Sequence, residues 1–185
     1  LLCFNGADYT TDVWVNGYHV CQHTGAYTPF SSDITAYLTK GENVILVRCV
    51  DTLDYAVPRG KQSWTGKQFA CWYYPTTGIW QSVWIEFFRE DAINGYSIIP
   101  DIDEGNVYGE IETLYGIADE LKVIVKLKER VVNHAKFGVK EKTARYCMSV
   151  LDYNTLGKIA IWSPENPLLY DVEFILYKDG AIVDK

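Results

Sequence analysis

The sequence predicts an all-β protein built as two successive units. Three observations carry this. Apolar residues recur with period two, as in Val13 and Val15 around Trp14, and in Leu121, Val123, Val125 and Leu127 set against Lys122, Lys126 and Lys128. Turn pairs such as Asn16-Gly17 and Asp179-Gly180 punctuate the runs. The runs themselves are rich in β-branched and aromatic residues, the types that suit a pleated, half-buried surface. With 48% of its residues hydrophobic the chain has the composition of a globular protein, which excludes disorder.

In the first unit, 1–91, Leu1 to Phe4 reads as a short apolar strand and Asn5-Gly6-Ala7-Asp8 as a turn. Thr11 to Val15 and Tyr18 to Val20 form a hairpin, because the type I′ turn at Asn16-Gly17 needs positive φ at both central residues. His23 to Phe30 is a loop, in which His23 is expected to bond backbone rather than act as a base. Ser31-Ser32-Asp33-Ile34 caps a single helical turn ending near Leu38. After a turn at Gly41-Glu42-Asn43, Val44 to Val50 is a nearly continuous apolar strand, expected to be buried on both faces. Arg48 interrupts it and is read as pairing with a carboxylate or lying at a strand end.

Residues 51–71 form a long irregular segment containing Asp51, Asp54, Tyr55, Pro58-Arg59-Gly60-Lys61-Gln62, Trp64 and Phe69. A connection of this length is often functional. Arginine, lysine, glutamine and aromatics suit a carbohydrate, whose CH patches meet ring faces and whose hydroxyls meet planar polar groups. Arg59, Gln62, Trp64, Trp72 and Tyr73 are therefore the candidate substrate-binding residues. The competing reading is that Trp64, Trp72 and Tyr73 pack the loop or dock it on a neighbouring domain. Trp72 to Glu86 follows, with Pro75 and Gly78 before a strand that sets Ile79, Val83 and Ile85 on one face and Trp80, Ser82 and Trp84 on the other.

The charged run Arg89-Glu90-Asp91 and a turn at Asn94-Gly95 mark the boundary to the second unit, 92–185. Strands are expected at Val107 to Leu114, Leu121 to Leu127, Val131 to Val139, Arg145 to Leu151 and around Val172 to Leu176, with a last strand after Lys178-Asp179-Gly180. Six or seven short strands over roughly 90 residues read as an immunoglobulin-like sandwich, without the Cys–Trp–Cys framework of antibody domains. Trp162 to Tyr170 is a proline-bracketed turn, and Tyr170 stands where a tyrosine corner forms.

The formal charge of −7 and the lack of any long basic run argue against nucleic acid as a partner. No apolar run is long enough to span a bilayer, so no membrane partner is expected. The five cysteines, Cys3, Cys21, Cys49, Cys71 and Cys147, are odd in number and lack C-x-x-C spacing, which favours reduced thiols and a cytoplasmic compartment, although a leader upstream of Leu1 would change that reading. His19, His23 and His134 are scattered, so neither a metal nor another cofactor is expected.

Five runs, in order, resemble glycoside hydrolase family 2, the β-galactosidase and β-glucuronidase family. Phe4-Asn5-Gly6-Ala7-Asp8-Tyr9 with Val13-Trp14-Val15-Asn16-Gly17 is similar to its F-x-G-x-D-Y and V-W-V-N-G hairpin. His23 to Phe30 is similar to its H-x-G-G-Y-x-P-F loop, and Trp162 to Tyr170 to its W-S-P-x-x-P-x-L-Y signature. Pro58 to Gln62 and the stretch Trp72 to Glu86 complete the set.

The resemblance implies a jelly-roll sugar-binding domain followed by an immunoglobulin-like domain. In the family a catalytic TIM barrel comes next and carries two glutamates about 5 Å apart that perform retaining hydrolysis. It therefore implies accessory domains of a β-glycosidase, with carbohydrate and the barrel of the same parent chain as partners, and no catalytic residue in 1–185. Glu86, Glu90, Glu110, Glu112, Glu165 and Glu173 are assigned no such role. Certain β-galactosidases place an acidic residue before the Gly-Ile-aromatic turn; here Trp72, Tyr73 and Tyr74 stand there, leaving aromatic stacking as the contribution. The chain begins inside an apolar strand, so it is expected to be an excised piece that is inactive alone. Its first strands are expected to be missing, exposing a sheet edge beside Val13 and Val47 and favouring self-association. The alternative is a stand-alone carbohydrate-binding module with an immunoglobulin-like spacer.

Overall fold

The computed structural model describes residues 1–54, 56–152 and 157–185; Tyr55, named above in the irregular segment, lies outside them. The chain is all-β and divides into two compact units, Leu1–Phe87 and Phe88–Lys185. The first is the jelly-roll sandwich and the second the immunoglobulin-like one.

In the first unit, β1 (Leu2–Phe4) lies between β5 (Phe30–Ser32) and β8 (Val83–Ile85), and β3 (Thr10–Val15) lies between β4 (Tyr18–Thr24) and β6 (Ile45–Val50). A small ladder joins β2 (Ala7–Asp8) to β7 (Gly78–Ile79). Side chains from both sheets meet in a core of Leu2, Phe4, Val13, Val15 and Ile34, with Phe4 stacked on Phe30 at 4.7 Å. The hairpin forms as the sequence dictates: Asn16 has φ 50° and Gly17 φ 88°, both positive. The helical turn is a 3₁₀ turn, Thr35–Tyr37, started by the Thr35 N–H donating to Asp33 Oδ1 at 2.9 Å.

Four expectations for this unit fail, each for a local reason. Asn5 to Asp8 is not a turn, because Ala7 and Asp8 continue the pairing of β1 against the same antiparallel segment. That segment is not one strand either. Only Asn5 and Gly6 separate the two ladders on one side, whereas Trp80, Gln81 and Ser82 separate them on the other. The extra residue is a bulge: the N–H groups of Trp80 and Gln81 both donate to the Gly6 carbonyl. It turns the Trp80 indole across Gly6, where a Cβ would sit 3.0 Å from Nε1. Finally, β6 is not buried on both faces. Among the described residues it pairs only with β3, and Val44 just before it, Ile45, Leu46 and Val50 are exposed while Val47 is half-buried against the core. Val13, by contrast, is fully buried. Arg48 does pair with a carboxylate, donating to Asp12 Oδ2 at 2.7 Å. His23 bonds a side chain rather than backbone, with Nε2 3.0 Å from Thr28 Oγ1 and its ring stacked on Phe30.

In the second unit, one sheet joins β9 (Ile93–Tyr96), β10 (Ile99–Asp101), β11 (Asn106–Thr113) and β14 (Thr143–Ser149). The other runs β13 (Arg130–Gly138), β12 (Glu120–Leu127), β15 (Tyr170–Lys178), β16 (Ala181–Asp184). The period-two residues Leu121, Val123 and Val125 point inward with Ile111, Met148 and Leu176 to form a continuous core. Asn94-Gly95 is not a turn; it lies inside β9, where a register shift against Glu112 and Thr113 absorbs it as an irregularity in the ladder. Gly109 is required by close approach: a Cβ there would lie 2.0 Å from the Ser97 carbonyl, which accepts the Tyr146 hydroxyl at 2.8 Å. Tyr170 OH accepts the Ala160 N–H at 2.8 Å, tying the turn before β15 to its strand.

Asp91 is fully buried and accepts four backbone N–H bonds, from Ala92 (3.0 Å), Tyr115 (2.8 Å), Ile117 (2.8 Å) and Ala118 (2.9 Å). Burial pushes its carboxyl pKa up, but these donors outweigh it and leave the pKa below the ordinary value.

Candidate functional site

The five predicted site residues lie on the 51–77 segment and divide into two groups. Backbone bonds fold the segment on itself. The Ser63 N–H donates to the Tyr73 carbonyl and the Tyr73 N–H to the Lys61 carbonyl, each at 2.8 Å. Phe69 and Trp72 exchange N–H···O bonds around a tight turn in which Ala70 has φ 48°. This fold brings Trp64 edge-on to Trp72 at 4.9 Å and to Phe69 at 5.4 Å. Trp64 and Trp72 therefore pack against each other and brace the loop, and neither ring is fully covered. Tyr73 is 60% exposed.

Arg59 is buried and turned into the loop base, where Nη2 donates to the Thr52 and Asp54 carbonyls. Among the described residues its Nε and Nη1 have no hydrogen-bond partner. Gln62 looks the other way. Its Oε1 accepts the Thr76 N–H at 2.6 Å and its Nε2 donates to Asp8 Oδ2 at 3.3 Å. Gln62 thus fastens the segment to β2 and opens on a cleft of about 380 Å³ bounded by Asp8, Tyr27, Thr76, Thr77 and Trp80. Asp8 is nearly buried, and burial is the main reason its pKa is raised, with the Gln62 bond and nearby Arg59 opposing. The Trp80 Nε1–H donates to the Ala26 carbonyl at 2.8 Å, and Tyr27 meets Trp80 edge-on at 5.8 Å.

The structure therefore brings Gln62 to the cleft with residues that sequence reasoning did not select, Asp8, Tyr27, Thr76, Thr77 and Trp80. It does not place Trp64, Trp72 or Tyr73 among the cleft's lining. One signal was available: Asp8 is a lone carboxylate following an apolar strand, in the same F-x-G-x-D-Y run that carries the family resemblance.

A second polar constellation lies on the β3–β4–β6 sheet. Asp12, almost fully buried, accepts from Arg48 (2.7 Å) and Gln22 (2.9 Å) and lies 3.1 Å from His19 Nε2. The bonds from Arg48, then Gln22 and His19, hold its carboxyl pKa down at about 2. Arg48 also lies over the Trp14 ring, 5.6 Å from its centroid. These bonds tie the three strands to one buried carboxylate and so lock strand register.

Comparison with known proteins agrees with this architecture. The family profile described as "Glycosyl hydrolases family 2, sugar binding domain" matches residues 1–86, and that described as "Glycosyl hydrolases family 2" matches residues 92–185. A beta-galactosidase of Thermoanaerobacter pseudethanolicus is 27% identical over 198 residues, covering 98% of this chain and 24% of that protein. A beta-glucuronidase of Bacteroides fragilis is 26% identical over 200 residues, covering 99% and 27%. Among solved structures, Bacteroides uniformis beta-glucuronidase 2, covalently bound to cyclophellitol-6-carboxylate aziridine, matches with a TM-score of 0.70 at 20% identity, covering 99% of this chain and 23% of that one. The chain spans about a quarter of the length of these relatives. The structural likeness speaks for the fold, while the two profiles account for nearly every residue in the order the motifs predicted. By the profiles that its sequence matches, the chain belongs to glycosyl hydrolases family 2.

Proposed function

We propose that this chain forms the two accessory domains of a retaining β-glycosidase that hydrolyses β-galactosides or related β-glycosides. Hydrolysis is the work of a catalytic barrel in the same parent chain, and no residue among 1–185 takes a catalytic role. The carrying observation is coverage: the match runs over nearly all of this chain but only about a quarter of relatives named beta-galactosidase and beta-glucuronidase. The 59–77 loop, with Arg59, Gln62, Trp64, Trp72 and Tyr73, lies toward substrate. Arg59 sets the loop base, Gln62 ties it to β2, and the Trp64–Trp72 pair holds its shape. The domain boundary is read at 91/92, four residues beyond the Phe87/Phe88 division of the two compact units.

The test is turnover. The 185-residue chain is expected to give no hydrolysis of p-nitrophenyl β-galactoside or β-glucuronide; hydrolysis by this chain alone would overturn the reading. A second reading, a stand-alone carbohydrate-binding module with an immunoglobulin-like spacer, is favoured by one observation, the sugar-binding description of the profile over 1–86. It requires saturable sugar binding that Trp64→Ala and Trp72→Ala abolish, measured by calorimetry.

A further inference from the structure

We propose that Asn5-Gly6 is a site of spontaneous backbone modification: the Gly6 amide nitrogen closes on Asn5 Cγ to a succinimide, which water opens to aspartate or isoaspartate at position 5. Asn-Gly occurs three times, at 5–6, 16–17 and 94–95, and the fold sets the three apart. Closure needs two things besides a following residue without Cβ. The asparagine side chain must be free to swing onto the chain, and the next N–H must be unspent. Asn16 fails the first. Its Nδ2 donates to the Tyr37 carbonyl at 2.9 Å and to Asn43 Oδ1 at 2.8 Å, and its Oδ1 accepts the Val44 N–H at 2.9 Å. Asn94 fails the second. The Ser97 N–H donates to the Glu110 carbonyl, and an antiparallel ladder alternates by two, so Gly95 and Glu112 form a hydrogen-bonded pair. Asn5 meets both. It is exposed, and among the described residues its side chain has no hydrogen-bond partner and the Gly6 N–H donates to no acceptor. Gly6 is there for packing, since a Cβ would lie 3.0 Å from Trp80 Nε1 and 3.1 Å from the Ala26 carbonyl. Packing thus fixes the second half of the reactive pair and leaves the first half loose.

In the closing step the Gly6 nitrogen gives its proton to solvent base and bonds to Asn5 Cγ, the Cγ–Nδ2 bond breaks, and ammonia leaves. Water then cleaves one of the two ring C–N bonds. Cleavage at Cγ restores the ordinary backbone with aspartate at position 5. Cleavage at the main-chain carbonyl leaves the chain running through Cγ, one methylene longer. No atom is oxidised or reduced, and either product carries a carboxylate where the amide stood. The isoaspartate also lengthens the link on which the bulge depends. Asn5 and Gly6 span it on one side against Trp80, Gln81 and Ser82 on the other, and the N–H groups of Trp80 and Gln81 both rest on the Gly6 carbonyl. A longer link moves that carbonyl, and with it the Trp80 indole, whose Nε1–H bonds the Ala26 carbonyl across Gly6.

The test is peptide mapping by mass spectrometry of the 185-residue chain aged in mildly alkaline buffer at physiological temperature. Position 5 is expected to convert first, with Asn94 roughly tenfold slower for its one spent N–H and Asn16 roughly a hundredfold slower for its three side-chain bonds. In urea, where the fold is gone, the three pairs convert at similar rates. Asn43→Ala removes one partner of Asn16 and is expected to speed conversion there by roughly three- to tenfold while leaving position 5 unchanged. Asn5→Gln, at an exposed position, has a side chain one methylene too long for the five-membered ring and abolishes conversion at 5. The Trp80 indole N–H signal in NMR spectra should move in the isoaspartate fraction of the aged wild type and stay in place in the aged Asn5→Gln variant. The inference falls if Asn16 or Asn94 converts as fast as Asn5 in the folded chain, if urea leaves the order of rates as it was, or if isoaspartate at position 5 does not move Trp80.

Discussion

The two units treat their apolar residues differently. In the second, thirteen buried residues among those described, most of them from two four-stranded sheets, close a continuous core, and alternation along β12 and β14 translates directly into alternating burial. In the first, five residues among those described form the buried cluster, while apolar residues on β6, β7 and β8 stay exposed. The patterns in sequence are equally apolar. The difference teaches that a period-two run reports which residues can be buried, and that burial itself needs a second layer opposite and a neighbour on each side. β12 has both; among the described residues β6 has one ladder partner.

The largest expected effect tests the small core directly. Phe4→Ala removes a fully buried ring stacked on Phe30 and costs about 3–5 kcal/mol, a major share of what a five-residue core supplies. Leu176→Ala costs a comparable ~2–5 kcal/mol in the second unit, where the wider core retains the fold. Hydrogen exchange should show protection lost throughout β1 and β3 in the first variant, but only weakened in β12 and β15 in the second. Equal residual protection in both would erase the contrast between the cores.

A smaller effect sharpens it. The second sandwich is closed at its start by Asp91, whose carboxylate accepts four backbone N–H groups. Asp91→Asn can accept at only one oxygen and is expected to cost about 2–4 kcal/mol, read as a fall in the urea midpoint of that unit. Because the folded carboxyl is held below its ordinary pKa, its contribution is complete above the unfolded value of about 3.9 and is lost as pH falls through the lower folded value. Wild-type stability should therefore decline below about pH 4 more steeply than that of the variant. Parallel profiles would remove Asp91 from the acid response.

Much of the fold was legible because its signals are local. Asn16-Gly17 and Asp179-Gly180 both take positive φ and turn hairpins, and Leu121, Val123 and Val125 go inward as their spacing requires. Asn94-Gly95 misled because the same dipeptide serves a strand irregularity when Glu112 and Thr113 lie opposite, a pairing invisible in sequence. The bulge at Trp80 and Gln81 was hidden for the same reason, since it is defined by one carbonyl, that of Gly6, 74 residues earlier than Trp80. The site was legible only in part. Gln62 was singled out by its chemistry, whereas Asp8, which it bonds, is 54 residues away and is joined to it only by the fold. Trp64 and Trp72 drew attention as exposed-looking aromatics; Trp64 is 39% exposed, and the turn at Phe69–Trp72 also folds the two rings against each other, a contact invisible in sequence.

The smallest expected change in stability concerns the uncovered surface itself. Leu46 is 59% exposed on β6, opposite Trp14 in the β3 ladder, and its strand presents an unpaired edge among the described residues. An apolar, unpaired edge is a template for pairing with another chain, and a lysine on such an edge opposes that pairing by bringing a charge that must stay hydrated. Leu46→Lys removes little buried area, so the midpoint of unfolding should shift by no more than about 0.5 kcal/mol. Sedimentation velocity over a concentration series should nevertheless differ: the wild-type chain self-associates as concentration rises and the variant stays monomeric. A wild-type chain that remains a monomer throughout would mean that the half-covered β6 is tolerated in water as it stands, and that the contrast between the two cores has no consequence for assembly.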